Sequence, residues 1–237
     1  MNDEASLRSV KQTIEETLPP IAGVMNGAAV LRDVSIANMS LEQFNDVIGP
    51  KMYGSIYLDQ LFWDQPLDFF ILFSSVSSLF GNPGQANYCA ANTYVCSLAA
   101  QRRRRGLAAT ALNIGAISGV GYMEREDRKA LELTISKMAL MRLSEEDVHQ
   151  LIAEAIEAGH PNSEDGPELS TGLLDVEADS PEAPVWASDP KFADFVVDQI
   201  ENDEGRKQAV AESLPDMLKT CESQQELEQV VKRKCSI

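Results

Sequence analysis

Four polar side chains in this 237-residue sequence have types and spacing that suit proton transfer to an oxygen: Lys51, Ser75, Tyr88 and Asn92. Tyr88 and Asn92 lie four residues apart in a stretch with helical character, so they share one helix face. Ser75 precedes Tyr88 by 13 residues, and Lys51 precedes it by 37. A phenol can donate a proton, although its ordinary pKa of about 10 suits neutral pH poorly, and a nearby ammonium would lower that pKa.

The segments around these side chains alternate between buried strands and amphipathic helices. The run at 67–73 is apolar apart from one acid, which is typical of a strand buried on both faces of a parallel sheet. A capping box at Ser40 and Gln43 predicts a helix from residue 41 that Pro50 interrupts and that resumes to residue 62. The other expected strands are 21–26, 108–114 and 167–174, and the other expected helices are 5–17, 85–105, 124–139 and 144–158.

This alternation predicts an α/β fold with a doubly wound parallel sheet. Ligands of such sheets bind at the carboxyl ends of the strands. Asn26, Ser75 and Gly115 each follow a predicted strand, so we expect them at that edge.

Composition narrows the class of protein. With 44% hydrophobic residues the chain can bury a core, which excludes disorder of the whole chain. The absence of a long apolar run or a signal-peptide pattern predicts a soluble cytoplasmic protein without membrane contact. Four cysteines and two histidines show no zinc-ligand spacing, so no metal site is expected.

The net charge of −17 is unevenly distributed. Residues 1–139 carry 12 Lys and Arg against 14 Asp and Glu, whereas residues 140–237 carry 8 against 23. Such a balance argues against nucleic acid as a partner. We interpret the chain as a domain over 1–175, an acidic linker over 176–223 with a docking segment at 184–195, and a final segment over 224–237 that contains one amphipathic helix.

The spacing of the four polar side chains resembles that of the short-chain dehydrogenase/reductase superfamily. In ordinary members a lysine follows the tyrosine by four, whereas Asn92 stands there in this sequence. Asparagine at that place with lysine on the preceding helix resembles the ketoreductase (KR) domain of polyketide synthases. The segments that resemble this family are 50–55 (PKMYGS), 73–75 (FSS), 81–92 (GNPGQANYCAAN) and 101–106 (QRRRRG).

Two further segments are similar to the highly reducing fungal type of polyketide synthase: 19–33 (PPIAGVMNGAAVLRD) and 115–122 (GAISGVGY). Synthases of this type act in secondary metabolite biosynthesis. The resemblance covers residues 3–195. It implies a Rossmann-like fold and the NADPH-dependent reduction of a carrier-bound β-ketoacyl thioester to a β-hydroxyacyl product. Other domains of a megasynthase are implied as partners, and the segment 224–237 resembles the truncated start of a carrier-domain helix.

The resemblance also implies a role for each side chain. Tyr88 protonates the alkoxide that hydride addition leaves, and Lys51 lowers the pKa of that tyrosine. Ser75 donates a hydrogen bond to the carbonyl oxygen, and Asn92 holds a water or the helix backbone in a proton relay. The residues implied to contact the cofactor are Asn26, Gly27, Lys51, Tyr88, Gly115 and Ala116.

Simpler interpretations exist for several of these residues. A tyrosine on a helix of small residues is usually a core residue, and only its three partners favour catalysis. Only the spacing selects Ser75 over its neighbour Ser74. The run Arg102–Arg105 is interpreted mainly as a solvated helix end, with docking of an acidic carrier domain as the alternative. His149 and His160 are expected at the surface.

The segment that precedes residue 21 contains no glycine-rich turn of the kind that binds a dinucleotide pyrophosphate. The sequence therefore predicts the C-terminal part of a KR domain, with the N-terminal strands missing and an acidic C-terminal tail that is helical or disordered. We expect the strand at 21–26 to form an exposed sheet edge that a partner covers. The alternative to an enzyme is a non-catalytic remnant or interaction module.

Overall fold

The computed structural model of the chain describes residues 3–118 and 128–197. Contacts divide it into two compact units. The first comprises the described residues up to Asn113 together with 153–169, and the second comprises the described residues of 114–152 and those from Ser170 onward. The predicted acidic tail and carrier-domain helix beyond residue 197 lie outside the described residues. Among the helices of the described ranges, none has the length and apolar character needed to cross a membrane.

The architecture is α/β, as the sequence predicts. The strands are β1 (Gly23–Asn26), β2 (Phe69–Ser75), β3 (Thr110–Ile114), β4 (Ala116–Ile117), β5 (Arg142–Leu143), β6 (Glu168–Ser170), β7 (Val176–Glu177) and β8 (Val196–Val197). The helices are α1 (Glu4–Thr17), α2 (Leu41–Ile48), α3 (Gly54–Leu61), α4 (Ser77–Phe80), α5 (Ala86–Arg104), α6 (Arg128–Lys137) and α7 (Glu145–Ala158). A π-helical segment, Gly49–Tyr53, joins α2 to α3 and is called the π-turn below.

The main sheet has the strand order β1-β2-β3-β6. β1 and β2 pair in parallel, with Asn26 opposite Leu72, so their carboxyl ends lie side by side. β1 is an edge strand, since among the described strands it pairs only with β2. Phe70, Ile71 and Leu72 are at most 1% exposed, which confirms the prediction of a strand buried on both faces.

Helix α5 packs on β2 and forms one wall of the core. Its buried apolar residues join those of α3, β2 and β3 in one cluster, which includes Leu58, Phe62, Leu72, Val95 and Ala111. The helix begins after a turn in which Gly81 and Gly84 adopt positive φ angles of 79° and 83°, a conformation that favours glycine. This turn reverses the chain so that the first turns of α5 lie near the end of β2.

The interpretation of Arg102–Arg105 as a solvated helix end is wrong for three of its four residues. Arg102 is fully buried, stacks on the Phe70 ring at 3.9 Å, and donates to Asp59 Oδ1 at 2.5 Å. Arg105 donates to the same Asp59 oxygen, and Arg103 donates to the backbone carbonyl of Ala158. Asp59 and Ala158 lie 43 or more residues away from these arginines in sequence, so local helix-end chemistry does not predict the contacts.

The predicted docking segment packs within the second unit. Trp186 and Phe192 are buried with ring centroids 5.2 Å apart, and Trp186 Nε1 donates to the Met138 carbonyl at 2.9 Å. β7 and β8 pair in parallel, so the described part of the predicted linker contains short regular elements. The division at residue 175 stays a prediction.

Candidate active site

Three elements of the first unit bring the predicted side chains together. Ser75 is the last residue of β2, Tyr88 and Asn92 lie in the first turns of α5, and Lys51 lies in the π-turn. Lys51 Nζ is 5.8 Å from the centroid of the Tyr88 ring. The Tyr88 hydroxyl interacts with the side chains of both Asn92 and Ser75. The structure thus places the other three side chains around Tyr88.

Tyr88 is half-buried, and burial raises the pKa of its hydroxyl above the ordinary value. Hydrogen bonding to the Asn92 and Ser75 side chains lowers the pKa of Tyr88, but burial outweighs it. The net shift of this pKa is upward, and the expectation that Lys51 lowers it stays a prediction. At neutral pH Tyr88 carries its proton, which is the state that a proton donor needs.

Lys51 is 3% exposed, and its Nζ donates a hydrogen bond to the carbonyl oxygen of Phe73. Desolvation by burial lowers the pKa of Lys51 from 10.5 to about 8. Cys96 faces it from α5, and burial raises the pKa of that thiol to about 11, so the thiol is neutral near pH 7. Lys51 is mainly an ammonium at neutral pH.

The two serines at the end of β2 have different environments. Ser74 is 6% exposed, donates to the Asn92 carbonyl at 3.4 Å, and accepts from Cys96 Sγ at 3.4 Å. Ser75 is only half-buried, its Oγ accepts from the Ser77 amide at 3.2 Å, and its hydroxyl lies beside that of Tyr88. These environments favour Ser75 as the side chain that meets a substrate.

Asn92 is fully buried and tied to the helix backbone. Its Nδ2 donates to the Tyr88 carbonyl at 2.9 Å, which is one of the two alternatives that the sequence predicts. Its Oδ1 is buried and has no hydrogen-bond partner within the described residues. A buried acceptor of this kind is suited to bind a water.

Asn26 and Gly27 follow β1 at the same end of the sheet. The Asn26 side chain is 3% exposed and faces the π-turn and α3, where Nδ2 donates to Ser55 Oγ at 2.8 Å. A Cβ at Gly27 would meet only the Phe73 ring, at 3.8 Å, so packing within the protein does not require glycine there. Cofactor contact by either residue stays a prediction.

Gly115 and Ala116 belong to the second unit. A Cβ at Gly115 would lie 3.1 Å from Gly172 Cα and 3.1 Å from the Thr171 carbonyl, so the close backbone approach explains the glycine. Ala116 is buried at the start of β4. Their predicted cofactor contacts are not tested by this packing. In the part of the chain that the structure describes, no group of His, Cys, Asp or Glu side chains could hold a metal ion.

Sequence reasoning missed two residues that organise the site. Ser55, fully buried on α3, bonds to both Asn26 and the π-turn. Asp59, one turn later, binds Arg102 and Arg105 and so joins α3 to α5. Ser55 follows Lys51 by four on a helix, but a lone serine at that spacing carries no distinctive pattern.

The KR domain family matches residues 1–119, which is half of the chain and includes all four predicted catalytic residues. The chain belongs to the KR domain family. It is 60% identical over 237 residues to the highly reducing polyketide synthase calA of Penicillium decumbens and 50% identical over 234 residues to the highly reducing polyketide synthase sthA of Phaeosphaeria nodorum. Each match covers 98% of this chain but only 8% of the synthase.

Solved KR structures have the same fold. A ketoreductase domain from the bacillaene assembly line matches with a TM-score of 0.63 and 27% identity, over 73% of this chain and 42% of that one. The Rossmann-like α/β architecture predicted for the KR domain is therefore confirmed, as is its relation to ketoreductase domains of polyketide synthases.

Proposed function

We propose that this KR domain catalyses the NADPH-dependent reduction of a β-ketoacyl thioester, carried on an acyl-carrier domain, to the β-hydroxyacyl thioester. The observation that supports it most directly is the grouping of Lys51, Ser75 and Asn92 around Tyr88, whose hydroxyl is protonated at neutral pH. KR domains generally use NAD(P)H, and NADPH is the specific cofactor that we propose.

The residues present fit the reacting end of a nicotinamide cofactor. Tyr88 offers a protonated phenol, Ser75 a half-buried hydroxyl, and Lys51 an ammonium on the same side of the sheet. The backbone of Asn26 and Gly27, at the carboxyl end of β1, lies where α/β sheets receive their ligands. Lys51 and this backbone would hold the cofactor ribose. Bound NADPH supplies the hydride.

Each side chain then has a distinct task. Ser75 donates a hydrogen bond that orients the β-keto oxygen and stabilises its developing negative charge. Tyr88 transfers its hydroxyl proton to that oxygen. The positive charge of Lys51 favours the phenolate that results. Asn92 keeps the first turn of α5 in place and holds a water at its free Oδ1, through which Tyr88 regains a proton.

The proposed partners follow from the relatives. These are large synthases of which the chain spans 8%, so we propose that an acyl-carrier domain and other synthase domains act with this one. The exposed edge of β1 would be covered by such a neighbour. The proposed domain limits are 1–175 for the reductase, 176–223 for the linker and 224–237 for the start of a carrier domain.

The proposal is tested by incubating the folded chain with NADPH and a β-ketoacyl thioester of a pantetheine mimic. Cofactor binding is followed by NADPH fluorescence, and the β-hydroxyacyl product is detected by mass spectrometry. A parallel sample contains the polypeptide that precedes the matching region of the Penicillium decumbens synthase, supplied in trans. Product formation in either sample supports the proposal. A folded chain that binds no NADPH at millimolar concentration in both samples would instead support a non-catalytic remnant.

A further inference from the structure

The π-turn that carries Lys51 is held by two side chains to which no role in catalysis has been given. Residues 41–61 form one continuous helical rod in which Pro50 has no N–H to donate and its ring blocks a regular α-helical turn. The rod widens at Gly49–Tyr53, where the Gly54 amide bonds to the Gly49 carbonyl five residues back. The same Gly54 amide also bonds to the Lys51 carbonyl, so this carbonyl shares its backbone donor and can accept hydrogen bonds from further donors.

Asn26 and Ser55 supply those donors. Ser55 Oγ donates to the Lys51 carbonyl at 2.6 Å, and Asn26 Nδ2 reaches the Lys51 and Pro50 carbonyls at 3.4 and 3.5 Å. Asn26 Nδ2 also donates to Ser55 Oγ at 2.8 Å, which joins the two side chains. Asn26 Oδ1 accepts from the Ala28 amide at 3.0 Å, so the whole Asn26 amide is engaged within the protein.

The register of the helix shows why this matters for Lys51. A π-turn contains one residue more than an α-turn, and each residue of a helix turns the chain by about 100°. If the π-turn relaxed to α-helical geometry, Lys51 would rotate away from Tyr88 and from the Phe73 carbonyl that its Nζ now contacts. Asn26, which holds the π-turn, and Phe73, which accepts from Lys51 Nζ, lie towards the carboxyl ends of β1 and β2, and the parallel pairing of these strands aligns the two ends.

We propose that Asn26 and Ser55 are positioning residues that stabilise the π-turn and thereby hold Lys51 against Tyr88. This inference rests on the proposed function, because it assigns the purpose of the π-turn to the Lys51–Tyr88 pair. Ser55 is 0% exposed and Asn26 is 3% exposed, so removal of either one takes a buried hydrogen bond away from the Lys51 carbonyl. The inference gives the Asn26 side chain a structural role toward Lys51 in place of a direct contact with the cofactor.

The direct test is an NMR titration of Lys51 in the full chain labelled with ¹³C-lysine, with Lys51→Arg used to assign the signal. The groups that face Lys51 are Tyr88 and Cys96 on α5 and the Phe73 carbonyl on β2. In the wild type we expect a pKa of about 8. In Ser55→Ala the pKa rises toward 10.5, because the released ammonium reaches water. Ser55→Thr retains the hydroxyl and restores the wild-type titration.

Matched controls separate this effect from general loss of stability. Ser97→Ala removes an exposed hydroxyl from α5, and Asn45→Ala removes an exposed amide from α2, and both should titrate like the wild type. Asn26→Ala should behave like Ser55→Ala. Should Asn26→Ala fail to fold, Ser55→Ala decides alone, since it removes a single oxygen atom. An unchanged Lys51 titration in folded Ser55→Ala overturns the inference.

A kinetic measurement distinguishes failure of the inference from failure of the proposed function. With an active reductase, Ser55→Ala should lower kcat roughly tenfold and change the pH profile, because Lys51 no longer supports Tyr88 at the same place. Reduction by the wild type with unchanged kinetics and titration in Ser55→Ala refutes only the positioning role. A shifted titration in a protein whose wild type never reduces a thioester refutes only the proposed function.

Discussion

The ammonium of Lys51 lies 5.8 Å from the centre of the Tyr88 ring, although the two residues are 37 positions apart in sequence. Burial acts on both residues in opposite directions, since it lowers the pKa of the amine and raises the pKa of the phenol. Near pH 7 the pair therefore consists of an ammonium and a neutral phenol. This is the protonation state from which Tyr88 can donate to a ketone oxygen.

Burial of Lys51 predicts a rise in stability with pH that Lys51→Met should lack. Below about pH 8 Lys51 is protonated in both folded and unfolded chains, so its desolvation cost is constant. Above about pH 8 the folded chain releases this proton while the unfolded chain keeps it up to its ordinary pKa of 10.5, and stability increases. The wild type should gain about 1 kcal/mol relative to Lys51→Met between about pH 8 and 9.

The measurement is urea unfolding of both proteins across that interval. The interval ends near pH 9 because of Cys96. Burial raises the pKa of its thiol from 9.0 to about 11, so above pH 9 the unfolded chain loses this proton before the folded chain does, and the stability of the folded chain falls. Comparison with Lys51→Met cancels that effect, since both proteins retain Cys96. Parallel pH dependences in the two proteins would show that Lys51 is not desolvated.

Ser75→Ala and Ser74→Ala should have opposite consequences. Loss of the Ser75 hydroxyl removes a donor to the ketone oxygen and should lower kcat by about a hundredfold or more while the midpoint of thermal unfolding stays the same. Loss of the buried Ser74 hydroxyl breaks its bonds to Cys96 and to the Asn92 carbonyl and should cost about 1 kcal/mol of stability. Steady-state kinetics and thermal unfolding are measured for both variants. If kcat falls more in Ser74→Ala than in Ser75→Ala, Ser74 is the donor to the ketone oxygen and this prediction is wrong.

Asp59→Ala should destabilise the fold strongly. Asp59 is the charged partner of the fully buried Arg102 and also binds Arg105, so its removal leaves a buried guanidinium without a counter-charge. We expect a loss of about 3–5 kcal/mol in the free energy of unfolding, measured by urea denaturation. Asp59→Asn retains one acceptor oxygen, so its free energy of unfolding should lie between those of the wild type and Asp59→Ala. Asp64→Ala, at an exposed position, should have little effect on stability. Equal midpoints for Asp59→Ala and Asp64→Ala would contradict this account of the ion pair.

Local features of the fold were predictable from the sequence. The capping box of Ser40 and Gln43 forms as predicted, with both of its hydrogen bonds present, because its partners are three residues apart. The strand β2 and the helix α5 also form close to where they were predicted, because the pattern of apolar and small residues within each segment is enough to predict it. Pro50 predicted an interruption of the helix, but the sequence did not reveal that the chain widens into a π-turn instead of ending.

Features that depend on distant partners were not predictable. Arg102 looked like a helix-end cation, and only Asp59, which is 43 residues away, explains its burial. Asn26 was predicted at the end of a strand in contact with a cofactor, and the bond of its side chain to Ser55, 29 residues later, was not predictable. Tyr88 and the three residues around it were predictable because the spacing typical of the family reflects a tertiary arrangement. Their pKa values depend on the depth of burial, which spacing does not record.

The most direct test of the proposed function is the rate of NADPH-dependent thioester reduction by Tyr88→Phe, with Tyr94→Phe as the matched control on the same helix. Loss of the Tyr88 hydroxyl removes the proton donor, and we predict a fall in kcat of at least about a hundredfold with an unchanged unfolding midpoint. Tyr94 is half-buried on α5 outside the group around Tyr88, and its variant should reduce the substrate at close to the wild-type rate. Equal rates for the wild type and a folded Tyr88→Phe would contradict the proposed mechanism.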